Sequence, residues 1–212
     1  AITAVLAAFF LYILVYELTR KTSPALLSIL FFTSLKSNMN ILGLWFFTPL
    51  TLAIPFFFFT LFCFLRAHHP GKRHWLLIGL LSLLFLFSVH PVTGLFILLI
   101  LASYLLLAPN EVNNKKRYFL TLAIPLLIAI IVFLTAQWRG SNLLAFAKEF
   151  FLFQKGWGKF EFLYFIPHFY GYGLTILALI GIYPAIKNPR LRILLPGCFL
   201  AAVLPTPYVF PV

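Results

Sequence analysis

The sequence predicts an all-α protein, a polytopic transmembrane helical bundle of about seven or eight spans. Two observations lead to this prediction. Apolar residues make up 63% of the chain and charged residues only 9%, whereas soluble domains contain about 25% charged residues. The apolar residues also form eight continuous stretches, with lysine and arginine concentrated in every second loop. Continuous apolar stretches of this length favour helices that face lipid over alternating strands.

We place the spans at residues 1–18, 24–35, 48–65, 75–89, 92–108, 118–136 and 169–186, and from 193 onward. They use most of the 212 residues, which predicts a single transmembrane helical domain over 1–212. The first stretch is preferred as a span over a signal peptide, because its basic residues, Arg20 and Lys21, follow the apolar run. The chain starts and ends within apolar stretches and lacks an initiator methionine, so we expect a fragment of a longer protein.

The distribution of basic residues predicts the orientation of the bundle. Eleven of the sixteen lysines and arginines lie in alternate short loops: Arg20, Lys21, Arg66, Lys72, Arg73, Lys115, Lys116, Arg117, Lys187, Arg190 and Arg192. The other five are Lys36, Arg139, Lys148, Lys155 and Lys159. By the positive-inside rule the eleven are cytoplasmic. A net charge of +12 could indicate nucleic acid, but dispersed charges at span ends fit membrane orientation and membrane lipids as partners better.

Segment 137–168 therefore faces the outside, and within it 141–154 has apolar residues at helical spacing. We expect an outer interfacial helix there. The span at 75–89 covers about 22 Å at 1.5 Å per residue, against a hydrocarbon core of about 30 Å. The turn at His90 thus ends below the outer interface. Either it opens into a water-filled vestibule, which the polar residues Ser88, His90 and Thr93 favour, or the bilayer is locally thinned there.

Catalytic groups are scarce. The chain has no aspartate, and of its four glutamates only Glu149 and Glu161 fall in outer segments, so paired carboxylates for acid–base catalysis are poorly supplied. No phosphate-binding glycine loop or metal-ligand spacing occurs, and Cys63 and Cys198 are interpreted as buried small apolar residues. Glu17 is expected to pair with Arg20 and Lys21 at a helix end.

A histidine-rich turn lies on the cytoplasmic side. His68, His69 and His74 are interspersed there with basic residues, and 70–71 (Pro-Gly) closes the turn. A metal site, contact with anionic lipid and plain solvation all remain open for this turn, with the last two preferred.

The run Ser88-Val89-His90-Pro91-Val92-Thr93-Gly94 lies between two apolar helices and resembles the helical hairpin of membrane glycosyltransferases of the GT-C superfamily. The later stretch 204–208 (LPTPY) is similar to their C-terminal core spans. The resemblance implies a transferase of the cell envelope, in a prokaryotic plasma membrane. Such an enzyme takes a sugar from a polyprenyl-phosphate donor on the non-cytoplasmic face.

The chain departs from this family at the catalytic residue. The family's acidic residue lies in the first outer loop, and no Asp or suitable Glu is present there. The catalytic residue thus stays unassigned, and we expect Lys36, His90, Arg139 and His168 to line a substrate site, with no metal ligands in this chain. A divalent metal cofactor stays open for an N-terminal part that carries acidic ligands.

A transporter or lipid flippase is the alternative function. Four prolines fall within the predicted spans, namely Pro55, Pro125, Pro184 and Pro196. In a transporter they would mark broken helices along a substrate pathway.

Overall fold

The computed structural model describes residues 2–34, 49–69, 71–107, 115–138, 172–188, 191 and 194. Within these ranges the protein is all-α, with seven helices and no strand. The helices are α1 (Ile2–Thr19), α2 (Thr22–Ser34), α3 (Pro49–Arg66), α4 (His74–Val89), α5 (Pro91–Leu107), α6 (Lys115–Trp138) and α7 (Tyr172–Lys187). The predicted all-α fold is therefore confirmed for the described part of the chain.

Each of the first seven apolar stretches forms a helix, with ends that differ by up to three residues from those predicted. The largest extension is in α6, which begins at Lys115 and ends at Trp138. Hydropathy marks only the apolar part of a helix, whereas backbone hydrogen bonding continues into polar flanks. The predicted eighth span, from 193 onward, lies outside the described residues except for Leu194.

Two of the described helices begin at a proline. Pro49 and Pro91 are the first residues of α3 and α5, where a missing N–H costs nothing and the fixed φ suits a helix. The transporter alternative expected broken helices at the interior prolines. Instead, α3, α6 and α7 continue through Pro55, Pro125 and Pro184. Pro196 lies outside the described residues.

The bundle is built around α3, which packs against α1, α4 and α5, while α2 packs on α1, and α6 on α4 and α5. The buried core consists mainly of aliphatic and aromatic side chains of these helices, including Phe64, Leu83, Leu86 and Ile97. A ring pair, Phe10 and Phe59 with centroids 4.7 Å apart, joins α1 to α3. The apolar interior therefore forms where α3 meets its neighbours.

The contact between α3 and α4 is close because small residues face each other. A Cβ placed on Gly79 would lie 3.2 Å from the Cβ of Cys63 and from the ring of Phe64. One turn further, Oγ1 of Thr60 lies 2.6 Å from Oγ of Ser82, and both side chains are buried. Small residues with a hydrogen bond across the contact are typical of helix pairs in membranes.

Three of the four predicted basic loops meet at one end of the bundle. The α1–α2 turn contacts the α3–α4 turn through Arg20 and His69, whose Nη2 and Nε2 atoms are 2.7 Å apart. The start of α6 joins them, because the Tyr118 hydroxyl lies 2.9 Å from Nδ1 of His68. We call this the basic end. The turn at His90 lies at the opposite end, since α4 runs from one to the other.

Much of the surface is apolar. Large apolar side chains are exposed on all seven helices except α3, most densely on α6 and α7. Among the described residues, α1 is the one helix whose length and hydropathy both suffice to cross a membrane, and the other apolar helical segments are shorter. A bundle of seven or eight spans thus remains a prediction.

Candidate functional site: the Glu17 cluster and the His90 turn

Glu17 lies in the last turn of α1 and is only 4% exposed. A buried carboxylate is strongly destabilising unless cations and hydrogen bonds surround it. Its position follows from the packing of α1 on α3, which turns this face of α1 inward at the basic end. Glu17 is therefore the residue around which a polar site is organised.

Three basic side chains contact the Glu17 carboxylate, and we call these four residues the Glu17 cluster. Arg20 Nη2 lies 2.5 Å from Oε1, and His69 Nε2 lies 2.6 Å from the same oxygen. Arg66 Nη1 lies 2.8 Å from Oε2. Both carboxylate oxygens therefore have basic partners. Oε1 is contacted by Arg20 of the α1–α2 turn and by His69, which follows α3, and Oε2 is contacted by Arg66 at the end of α3.

Backbone geometry places Arg20 in the cluster. Its φ is 56°, in the left-handed region that an arginine seldom adopts. Its N–H donates to the carbonyl of Tyr16 at 2.8 Å, which ends α1. Arg20 therefore occupies the position that glycine usually takes after a helix, and the turn directs its side chain back to Glu17. Gly71, with φ 75°, supplies the same conformation in the α3–α4 turn.

His69 has two incompatible partners. A guanidinium can only donate and a carboxylate can only accept, and Nε2 lies 2.7 Å from Arg20 and 2.6 Å from Glu17. An unprotonated Nε2 accepts from Arg20, whereas a protonated Nε2 donates to Glu17. The proton on this nitrogen therefore selects between the two contacts.

A second histidine site lies beside the first. The Nδ1 atom of His68 lies 2.8 Å from the carbonyl oxygen of Phe64, so Nδ1 carries the proton and donates. Tyr118 from α6 contacts the same atoms, and Tyr104 from α5 packs edge-on against the His68 ring. A small pocket lies between these side chains and Leu101. This site ties α3, α5 and α6 together.

His90 is the one predicted substrate contact within the described residues, and it caps two helices, the end of α4 and the start of α5. The N–H of His90 donates to the carbonyl of Leu86 at 2.7 Å, which ends α4. Its Nδ1 accepts from the N–H of Thr93 at 3.3 Å and lies 2.7 Å from the Thr93 hydroxyl, which caps the start of α5. Burial lowers the pKa of the imidazole, with a backbone hydrogen bond opposing, so the turn favours a neutral ring.

The side chains next to His90 differ in exposure. Ser88 is exposed and donates to the carbonyl of Phe85, whereas Thr93 is only 7% exposed. Of these two neighbours of His90, Ser88 is therefore accessible to solvent and Thr93 is buried. Gly94 packs closely against Phe87, because a Cβ there would lie 3.0 Å from the Phe87 ring.

The other predicted substrate contacts, Lys36, Arg139 and His168, lie outside the described residues, as do Glu149 and Glu161. The predicted outer segment 137–168 also lies outside them, except for its first two residues, which belong to α6. Of the two pairs that the sequence predicted for Glu17, the one with Arg20 is confirmed, and the one with Lys21 stays a prediction. The two additional partners of Glu17, Arg66 and His69, were missed. A lone carboxylate in the last turn of an apolar helix, with basic turns on the same side, is the signal that could have found them.

Within the described residues no group of three or more His, Cys, Asp or Glu side chains could hold a metal ion. Comparison with known protein families, with curated proteins and with solved structures finds no match for this chain.

Proposed function

We propose that this chain is the helical membrane core of a glycosyltransferase that takes a sugar from a polyprenyl-phosphate donor on the non-cytoplasmic face. The proposal has two parts. The first is that the bundle is embedded in a bilayer, and it is supported by the surface of the structure. The second is the activity, and it is supported by the resemblance of the hairpin around His90.

The surface of α7 is the observation that supports membrane embedding most strongly. Its large apolar side chains are 43–67% exposed: Tyr172, Ile176, Leu177, Leu179, Ile180, Ile182, Tyr183 and Ile186. Residues 176, 177, 179 and 180 point in different directions around a helix that turns 100° per residue. A helix that is apolar all round belongs in a protein core or a membrane, and lipid is the solvent that suits these exposed side chains.

The interior supports the same proposal. Hydroxyl groups are buried between helices at Thr60, Ser82 and Ser103, while apolar side chains face outward. Each of these hydroxyls has a hydrogen-bond partner, such as the carbonyl of Leu99 for Ser103. A few hydrogen-bonded hydroxyl groups inside an apolar interior, beneath an apolar surface, are typical of helix pairs in lipid. Helices of 16 and 17 residues fit with modest bilayer thinning.

The activity rests on the end of the bundle that bears His90. The hairpin places an exposed Ser88 and a capped His90 about 24 Å along α4 from the basic end. With the basic end cytoplasmic, this turn faces the side on which lipid-linked sugars are used by the enzymes it resembles. His90 then contributes a neutral imidazole whose Nε2 can donate to a sugar hydroxyl or phosphate oxygen, since Nδ1 accepts from Thr93.

Orientation is tested by cysteine labelling of the full-length protein in intact cells. Single cysteines at Lys72, Asn114 and Asn188, in a background without Cys63 and Cys198, should resist an impermeant thiol reagent. A cysteine at Lys155 should react. The opposite pattern overturns the orientation, and failure of all four to fractionate with membranes overturns membrane embedding.

Activity is tested with full-length protein in liposomes that contain a radiolabelled polyprenyl-phosphate sugar and a range of acceptors. Formation of a glycosidic product that is lost on mutation of an outer carboxylate supports the transferase. Movement of the donor across the bilayer without product overturns it in favour of the transporter alternative. Absence of both product and movement overturns both activities.

A further inference from the structure

We propose that the Glu17 cluster is a binding site for the phosphate of an anionic phospholipid head group. Arg20 and Arg66 hold the phosphate, and Lys21 and Lys72 flank it. The inference rests on the membrane embedding proposed above, and it is independent of the glycosyltransferase activity.

The charge balance of the cluster is the first reason. Glu17 contributes one negative charge, whereas Arg20 and Arg66 are both permanently charged and both contact its carboxylate. The net charge of the cluster is therefore +1 when His69 is neutral and +2 when His69 is protonated. One arginine would neutralise a buried carboxylate, so the second guanidinium leaves an excess that an anion can balance.

The donors of the two arginines are the second reason. A guanidinium has five N–H donors, and the contacts to Glu17 and His69 use Nη2 of Arg20, while Nη1 of Arg66 contacts Glu17. The side chain of Arg20 is 44% exposed and that of Arg66 is 27% exposed. Glu17 thus orients two guanidiniums from one side and leaves donors of each at the surface, where paired N–H groups match a phosphate.

The surroundings identify a lipid as the source of the phosphate. Lys21 is exposed and Lys72 is partly exposed beside the cluster, in the two turns that Arg20 and His69 join. Large apolar side chains are also exposed in the adjoining helical turns, Tyr16 in the last turn of α1 and Leu26 and Leu27 near the start of α2. Basic groups with exposed apolar side chains in the adjoining turns match the head group and the acyl chain of one amphiphile.

Helix capping explains only part of this arrangement. Basic side chains at the ends of α1 and α3 also stabilise the last carbonyls through the helix dipole. Capping alone, however, does not require a buried carboxylate between the two helix ends. Nor does it require that Arg20 and Arg66 contact one oxygen each of that carboxylate. In a phosphate site, the carboxylate would hold both guanidiniums in place while their outward donors bind the anion.

The test is lipid titration of the purified full-length protein, with bound lipids counted by native mass spectrometry. Dioleoylphosphatidylglycerol should bind at one site more tightly than dioleoylphosphatidylcholine. The double variant Lys21→Gln/Lys72→Gln, which leaves every Glu17 contact in place, should weaken phosphatidylglycerol binding by about tenfold to thirtyfold, since each basic residue near an anionic head group adds attraction. Arg66→Lys keeps the charge but loses the forked donors and should also weaken binding.

The matched control is Lys187→Gln, which removes the same charge at the end of α7, where the ammonium lies 4.3 Å from the centroid of the Tyr183 ring. It should leave binding unchanged. Equal binding of both lipids, or equal loss in Lys187→Gln, overturns the site. Displacement of phosphatidylglycerol by millimolar inorganic phosphate overturns the assignment to a lipid. A protein that extracts without detergent contradicts membrane embedding instead, so the two failures are distinguishable.

Discussion

Arg66 and Glu17 are 49 residues apart in the chain, yet Nη1 of the arginine lies 2.8 Å from Oε2 of the glutamate. The contact joins the last turn of α3 to the last turn of α1. Along the same helix pair, the rings of Phe10 and Phe59 meet nearer the other end. An ion pair at one end and an aromatic pair further along fix how far α1 can slide on α3.

Replacement of Glu17 by glutamine should destabilise the fold. The change keeps the shape of the side chain but leaves Arg20 and Arg66 without their shared anion. Loss of one partner of a buried ion pair costs about 3–5 kcal/mol, and partial exposure of the two arginines reduces the expected loss to about 2–3 kcal/mol. The free energy of unfolding in mixed detergent micelles measures it. Lys187→Gln is the control, and equal stability of Glu17→Gln and wild type contradicts the role of Glu17.

The hydrogen bond between Thr60 and Ser82 should contribute measurable coupling between α3 and α4. Thr60 donates to the carbonyl of Phe56 at 2.7 Å, so Ser82 is the donor in the 2.6 Å contact. In a double-mutant cycle of Thr60→Val and Ser82→Ala, we expect a coupling of about 0.5–1.5 kcal/mol. The same cycle between Thr60→Val and Ser103→Ala should show none. Additive losses in the first cycle contradict a direct bond.

The sequence predicted the helices because hydropathy and proline placement are local properties. Seven apolar stretches became seven helices, and the alternation of basic loops correctly placed the turns at Arg20 and His69 at the same end. Helix ends were less predictable, since α6 continues through the polar residues from Lys115. The number of spans and the activity were predictions that the helices alone do not test.

The polar site was harder to predict because its contacts are long-range. Local spacing indicates Arg20 as a partner of Glu17, three residues away, but Arg66 and His69 become partners only when α1 packs on α3. The role of His90 also depended on geometry. Its sequence position suggested a substrate contact, and only the turn itself reveals that Nδ1 accepts from the N–H of Thr93.

Substitution of Gly79 by alanine should destabilise the bundle by about 1–3 kcal/mol, as overpacking of a close contact does. The new methyl group would lie 3.2 Å from the Cβ of Cys63 and the ring of Phe64, which are both buried and cannot move aside. Gly181→Ala in α7 is the matched control, since nothing lies within 4 Å of its Cβ position. The control should gain up to about 1 kcal/mol from helix propensity. Equal effects of the two changes contradict the tight α3–α4 contact.

Acidification should weaken the His90 turn. Burial lowers the pKa of His90 in the folded protein, so at pH values between the ordinary histidine pKa and the lowered one the unfolded chain binds more protons. Stability therefore falls as the pH drops through this window, and it becomes level once both states are protonated. His90→Asn retains a capping acceptor but cannot titrate. Between about pH 7.5 and pH 5.5 it should lose less unfolding free energy than wild type.

His90→Ala separates capping from titration. It removes the acceptor for the N–H of Thr93, so we expect a loss of about 1 kcal/mol at pH 7.5, together with the reduced pH dependence of His90→Asn. The control is His74→Asn, at the exposed start of α4 on the basic end, which should leave the unfolding free energy at pH 7.5 unchanged. Because wild type and His90→Asn differ at this one residue, the difference between their two pH profiles reports on His90. Identical profiles would show that burial of this ring does not affect folding.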